Sequence, residues 1–323
     1  MSAFVPGAEA AAGPAGLPAA SSIAEAARPI TFYAPGLKRH KTAEMPAQDP
    51  AEFVSISVTG TACALGCDHC KTHVLRGMAA LPRAGESLFD MCVQAQRRGA
   101  RGVLVSGGCD AQGRVPLRAH LADLLRARRE LGLRIRVHPG LPDEETCAGL
   151  AEVGLDGAMI DVIGHEDTIR DVYHLRATPA DYEAALARLE DHGVPTVPHI
   201  VLGLHFGRLL GEAHALEMVA RHRPKLLVLV VLTPLLGTPM AGVEPPAPEV
   251  LAGFFAQARR TLPHCPIVLG CARPLGRTKH ALDRAAIEAG LDGIAYPAEG
   301  SVAYARARGR EPRFINACCG VTW

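Results

Sequence analysis

Beyond residue 50 the chain alternates short runs of β-branched and other apolar residues with longer segments whose apolar positions recur every three or four residues. That alternation is the pattern of parallel strands joined by helical crossovers. Eight runs predict strands: Val54–Thr59, Gly102–Ser106, Arg134–His138, Gly157–Val162, Thr196–Leu202, Leu226–Leu232, Ile267–Leu269 and Gly293–Tyr296. The helical period covers Ser87–Arg98, Leu117–Glu130, Pro179–His192, Leu210–His222, Pro248–Leu262 and Ala281–Ala289, several of them stopped by glycine. Eight strand and helix units predict an α/β fold, a closed (β/α)8 TIM barrel. An open doubly wound sheet is the rival, and it gives no reason for the eighth strand. The predicted organisation is an extension over 1–45, a barrel over 46–300 and a cysteine-bearing tail over 301–323. Residues 1–28 lack the basic start and apolar run of a secretory signal and read as a mobile leader. Phe32–Gly36 reads as a lid or as a plug for the barrel base.

In a (β/α)8 barrel the loops after the strands share one face, so reactive residues belong just beyond the strands. Here they do: Cys63, Cys67 and Cys70 follow the first run, Gly107, Gly108 and Cys109 the second, His138 ends the third, and Gly270–Cys271 follow the seventh. The chain of 323 residues is 48% apolar, enough to bury a sizeable core. Its 34 Lys and Arg balance 33 Asp and Glu with no basic or acidic block, so no electrostatic footprint for nucleic acid or a membrane surface is present. The longest apolar stretch, Leu226–Leu236, is well short of the roughly 20 residues that span a bilayer.

The ten cysteines change the picture most. A chain this long has no need of disulfide staples, and three cysteines lie within eight residues, which favours metal binding in a reducing, cytoplasmic setting. The spacing C-x3-C-x2-C of Cys63, Cys67 and Cys70 puts three thiolates on one loop, able to hold three corners of an iron–sulfur cubane and leave the fourth iron open. Zinc is the alternative, with His69 or His73 as a fourth ligand. Across the predicted mouth, Cys109, Cys271, Cys318 and Cys319 form a candidate second set, with the tail folding over the mouth; their alternative is to be buried small hydrophobes, the role assigned to Cys92, Cys147 and Cys265.

Placed directly after a first strand, this motif resembles the signature of the radical S-adenosylmethionine (SAM) superfamily. The resemblance implies Cys63, Cys67 and Cys70 as ligands of a 4Fe-4S cluster whose open iron binds SAM, which is cleaved to a 5′-deoxyadenosyl radical. The residue before the third cysteine is usually aromatic in that family and is His69 here. Gly107 and Gly108 match the family's Gly-Gly-Glu turn, with Cys109 in place of the glutamate. Pro198–Leu204, containing His199 and Gly203, resembles the segment near adenine and ribose. Thr233–Met240 resembles the sixth-strand exit loop, and Asp161 is a candidate ribose contact. The complete barrel is the form of the biotin synthase and lipoyl synthase branch.

Within that branch the N-terminal and C-terminal motifs of single-chain lipoyl synthase are missing. Ser106–Asp110, Val172–Leu175, Pro198–His205 and Leu269–Pro274 instead resemble the two-protein lipoyl synthases of archaea and some bacteria. That implies an octanoylated carrier protein as substrate, a second related radical SAM protein as partner, a ferredoxin or flavodoxin as reductant, and a sulfur-donating auxiliary cluster on Cys109, Cys271, Cys318 and Cys319. Alternatives are a biotin-synthase-like enzyme acting on a small molecule, and a non-catalytic iron–sulfur or zinc protein.

Overall fold

The computed structural model describes residues 28–36, 39–82 and 85–321. The leader read over 1–28 therefore lies, apart from Arg28, outside the described residues. Among the described residues eleven strands form one parallel sheet: β1 (Pro29–Tyr33), β2 (Phe53–Ser57), β3 (Ala79–Ala80), β4 (Gly102–Ser106), β5 (Arg134–Val137), β6 (Gly157–Asp161), β7 (Thr196–Leu202), β8 (Leu227–Val231), β9 (Ile267–Leu269), β10 (Gly293–Ala295) and β11 (Glu311–Ile315). The eight predicted runs are β2 and β4 to β10. Helices α1 (Leu88–Arg97), α2 (Leu121–Leu131), α3 (Glu144–Val153), α4 (Glu166–Tyr173), α5 (Pro179–Asp191), α6 (Glu212–Ala220), α7 (Pro248–Thr261), α8 (Arg277–Glu288) and α9 (Ser301–Ala307) make the crossovers. Among the described residues no helix is long and apolar enough to cross a membrane.

The elements form where local chemistry directs them. Ser87 and Asp90 cap α1 reciprocally, at 3.1 and 2.9 Å, and Pro179 opens α5 behind Thr178. Strands buried on both faces split their side chains by period two. In β8, Leu227, Leu229 and Val231 join the core under the helices, while Val228 and Val230 point into the bore.

The fold is TIM-barrel-like, and the sheet curls without closing its ladder. Its order is β11-β1-β10-β9-β8-β7-β6-β5-β4-β2-β3. Among the described residues β2 and β10, neighbours in a closed eight-stranded barrel, share no pairing; β1 is inserted beside β10, Thr31 against Gly293, and β11 beside β1, Tyr33 against Ile315. Phe32 and Tyr33, read as a lid or plug, are thus strand residues.

Beyond β11 the chain turns into the bore. Ala317, Cys318, Cys319 and Val321 are buried with Leu226, Val228, Val230 and Val268. Gly320, at φ 73°, leaves no room for a side chain: a Cβ there would stand 1.9 Å from a Leu226 methyl. The tail that was expected over the mouth fills the barrel interior instead, because its apolar residues are covered there on every side.

Candidate active site

The cysteine loop leaves β2 at Ser57, and Val58 N–H still donates to Ser106 across the sheet at 2.8 Å. Cys67 carbonyl accepts from Cys70 N–H at 3.2 Å and Lys71 N–H at 2.9 Å, a tight turn that brings the two thiols together. Lys71 and Thr72 follow in left-handed conformation, φ 39° and 64°, which few non-glycine residues adopt. Three contacts fix the loop. Ala64 N–H donates to the Cys109 carbonyl at 2.8 Å, Asp68 N–H donates to the Val172 carbonyl at 2.9 Å, and the Asp68 carboxylate bridges Lys71 and His174, each at 2.9 Å. Partial burial opposes ionisation of Asp68, but the hydrogen bonds from Lys71 and His174 prevail and hold its carboxyl below the usual range.

Gly107 and Gly108 press against this loop. A Cβ on Gly108 would stand 1.9 Å from the Ala62 carbonyl oxygen and 2.5 Å from Cys63 Cβ, so only glycine fits. Its N–H donates to Thr59 Oγ1 at 2.7 Å. The Cys67 thiol donates to the Cys70 sulfur, and this, with help from His69 and against burial, pulls Cys70 down to about 4; Cys67 moves up as the donor.

Among the described residues no three His, Cys, Asp or Glu side chains gather tightly enough to hold a single metal ion. Cys63, Cys67 and Cys70 instead line a cavity of about 360 Å³. Thiolate ligands beside that space fit a polynuclear cluster better than one ion.

The cavity runs along the inner wall of the sheet. Leu104, Val115, Met159, Val228 and Val230 give it an apolar surface, and His138, Asp161, Tyr173, Tyr182 and His199 also line it. Tyr173 donates to Asp161 at 3.1 Å, His138 Nε2 lies 3.7 Å from the same carboxylate, and the His69 ring sits 5.2 Å from that of Tyr173. Burial raises Tyr173 well above its usual value, with Asp161 adding to it. Burial, then the neighbouring His138, pushes His199 down to about 4, so its ring is neutral at physiological pH, Nδ1–H donating to the Val197 carbonyl at 2.9 Å. His205 lies elsewhere, against Thr168 at 3.3 Å.

Cys271, Cys318 and Cys319 line the same cavity. The Cys319 thiol donates to the Cys271 sulfur, and burial with Cys271 beside it pushes Cys318 up to about 12. Cys109 also lines the cavity but belongs to the first set: burial raises it to about 12, and its strongest electrostatic neighbour is Cys63. The expected quartet is therefore divided, because Cys109 leaves β4 beside the first loop.

Gly203, expected near the cofactor, lies outside the cavity lining, its N–H donating to the buried Glu212 carboxylate at 2.9 Å. Arg273, within the Leu269–Pro274 segment, is buried against Asp283 at 2.8 Å and holds the Gly270 and Ala295 carbonyls at 2.7 and 2.6 Å. It fixes the backbone beside Cys271. Cys92 and Cys147 are buried within α1 and α3, and Cys265 donates to the Pro224 carbonyl at 3.8 Å. Sequence reasoning missed Tyr173, Tyr182 and Arg136. Arg136 carried a signal: a charge in mid-strand of a sheet buried on both faces must enter the bore or the helix layer.

A three-cysteine loop at the carboxyl end of a parallel barrel sheet, facing a half-open cavity, defines a cluster-binding enzyme of the TIM-barrel type. The family model "Radical SAM superfamily" matches residues 57–208. Biotin synthase of Halorhodospira halophila is 30% identical over 236 residues, covering 68% of this chain and 68% of that protein. The fold is similar to methylornithine synthase (TM-score 0.54, 14% identity, 81% and 83% of the two chains) and to the [FeFe]-hydrogenase maturase HydG from Carboxydothermus hydrogenoformans (0.59, 16%, 90% and 69%). The chain belongs to the radical SAM superfamily and fits its biotin synthase and lipoyl synthase-like branch. Members of this superfamily use a 4Fe-4S cluster and SAM.

Proposed function

We propose that this enzyme inserts sulfur at C–H positions of an octanoyl chain carried on a protein, a lipoyl synthase-like reaction run in the cytoplasm. It works with a second, related radical SAM protein and a ferredoxin or flavodoxin as reductant. One observation carries the reading: a single, mostly apolar cavity is lined both by Cys63, Cys67 and Cys70 and by Cys271, Cys318 and Cys319. An apolar wall suits an alkyl chain, and a second cysteine set gives a place for a sulfur source.

Cys63, Cys67 and Cys70 would hold the 4Fe-4S cluster. When bound, that cluster supplies the electron that cleaves SAM to methionine and the 5′-deoxyadenosyl radical. Gly107 and Gly108 would let the backbone come close to SAM, His69 and Tyr173 would offer an aromatic ledge, and Asp161, oriented by Tyr173, would accept from a ribose hydroxyl. Leu104, Met159 and Val230 would keep water from the reacting carbon. Each C–H hydrogen removed would leave in 5′-deoxyadenosine, and an iron–sulfur group at the second cysteine set would supply one sulfide per carbon and take up the electron released as the C–S bond forms, so insertion at both C6 and C8 would consume two SAM.

The test is anaerobic incubation with SAM, reductant and an octanoyl-lysyl peptide, with and without the partner enzyme. Sulfur gain on the peptide supports the reading; intact SAM cleavage with an unchanged peptide overturns it. The second reading, a biotin-synthase-like enzyme for a small molecule, is favoured by the 30% identity to biotin synthase and by His138 and His199, for which an alkyl chain has no use. About four irons per chain in place of about eight would favour its single-cluster version.

A further inference from the structure

The rim at the carboxyl end of the sheet is divided by charge, although the chain as a whole is balanced. The segments that leave β4, β5 and β6, residues 107–116, 138–145 and 162–178, carry seven Asp and Glu against three Arg. Those that leave β1, β8 and β9, residues 34–41, 232–240 and 270–280, contain no Asp or Glu, and neither does the cysteine loop beyond its last ligand, residues 71–82. The fold gathers these four segments into one arc. β8, β9, β10 and β1 are consecutive in the sheet, the His40 ring lies 5.3 Å from that of Tyr296 just past β10, and a Cβ on Gly237 would stand 3.6 Å from the His73 ring. Arg39, Lys41, Arg76 and Arg277 are exposed on this arc, and among the described residues none of them makes an ion pair. The acids that adjoin it are engaged or turned away. Asp68 holds Lys71 and His174, Glu299 accepts from Ala43 N–H at 2.9 Å, Glu44 accepts from Val302 and Ala303 at 3.2 and 2.8 Å, and Glu244 packs on Gly207 after β7.

The same arc holds the most exposed large apolar side chains among the described residues: Leu236 at 86%, Leu275 at 70% and Val74 at 57%. A single exposed leucine is ordinary, but three such residues on one arc, interleaved with uncompensated cations, mark a contact surface. It begins where the cavity opens, since Val74 and Pro35 also line the cavity. An acyl chain can enter a space of about 360 Å³ and a folded protein cannot. The body of a carrier whose chain is threaded into the cavity must therefore rest on the rim.

We propose that the arc formed by the exits of β1, β8 and β9 and by the turn His73–Gly77 is the docking surface for the domain that carries the octanoyl chain, and that this domain meets it with an acidic face around its acylated lysine. Leu236, Leu275 and Val74 form the apolar centre, and Arg39, Lys41, Arg76 and Arg277 select the charge of the partner and steer its approach. The carrier is taken from the sulfur-insertion reading; the surface is tested by binding alone, without SAM or reductant.

The probes are an octanoyl-lysyl peptide and a small acidic domain bearing the same octanoyl-lysine, each titrated against the full chain. The domain should bind at least about tenfold more tightly than the peptide, an advantage that shrinks as salt is raised. The pair Leu236→Glu, Leu275→Glu and, separately, the pair Arg76→Glu, Arg277→Glu should each bring the domain close to the affinity of the peptide. Peptide binding should stay at the wild-type level in both, which shows that the cavity is intact. Arg129→Glu, exposed on α2 away from the rim, should leave the advantage in place. A domain that binds no better than the peptide, or an advantage that survives both pairs, overturns the surface. So does a loss confined to flavodoxin-driven SAM cleavage, with dithionite-driven cleavage and carrier binding unchanged, which would give the arc to the electron donor, and so does a dimer of this chain that the same substitutions split. Sulfur gained by the peptide with no carrier advantage contradicts the surface but not the sulfur-insertion reading; a carrier advantage lost in the variants, with no sulfur gained by either probe in complete reaction mixtures, contradicts that reading but not the surface.

Discussion

The two cysteine sets of one cavity are built by opposite means. Cys63, Cys67 and Cys70 lie on one loop, shaped by its own backbone hydrogen bonds and by the glycine pair of the next strand. Cys271, Cys318 and Cys319 come from the exit of β9 and from a tail packed in the bore, and they meet only when the whole sheet has curled. The first set is a property of a short sequence, the second of the tertiary fold. Damage to one should therefore leave the other in place, and the second should be the more sensitive to packing.

The largest expected effect is chemical. Replacing Cys63, Cys67 or Cys70 by Ala should reduce SAM cleavage to background, measured as 5′-deoxyadenosine formed; residual turnover near wild type would place the cluster elsewhere. Next is the support of the second set. Asp283 accepts from Arg273, Ala298 and Ser301, so Asp283→Ala leaves a buried arginine unpaired and should cost about 3–5 kcal/mol in denaturant unfolding. It should also lower iron at the second site before the first.

A pH effect of similar or smaller size comes from His199. Its folded-state value near 4 lies below the usual 6.5, so the stability of the neutral buried ring is complete above pH 6.5. It is lost as pH falls toward 4, by up to about 3 kcal/mol. His199→Gln should flatten the stability curve between those limits; an unaltered slope would contradict the burial of a neutral ring. Gly108→Ala should cost about 1–3 kcal/mol through overpacking against Ala62 and Cys63, with irons lost from the first site alone.

The contrast between the sets also marks what was legible in the sequence. β4, β7 and β9 match their predicted limits residue for residue, because both faces are buried and the apolar runs are continuous. β1 was missed: Pro29–Tyr33 is short and pairs with β10 and β11 more than two hundred residues away, which no local period reports. The open ladder follows from the same long-range insertion. Cys63, Cys67, Cys70, Gly107 and Gly108 could be placed on one site from spacing, whereas the separation of Cys109 from Cys271 depends on which strand neighbours which. The route of the tail depends on the bore having room for Gly320 and a cation to hold it.

The central proposal is that the cavity serves a SAM-cleaving cluster and, apart from it, the sulfur source assigned to Cys271, Cys318 and Cys319, and iron analysis of the Cys63→Ala, Cys67→Ala, Cys70→Ala protein tests it most directly. With the local loop disarmed, about four irons per chain should remain, held by Cys271, Cys318 and Cys319. A protein that refolds normally yet binds no iron would contradict the account.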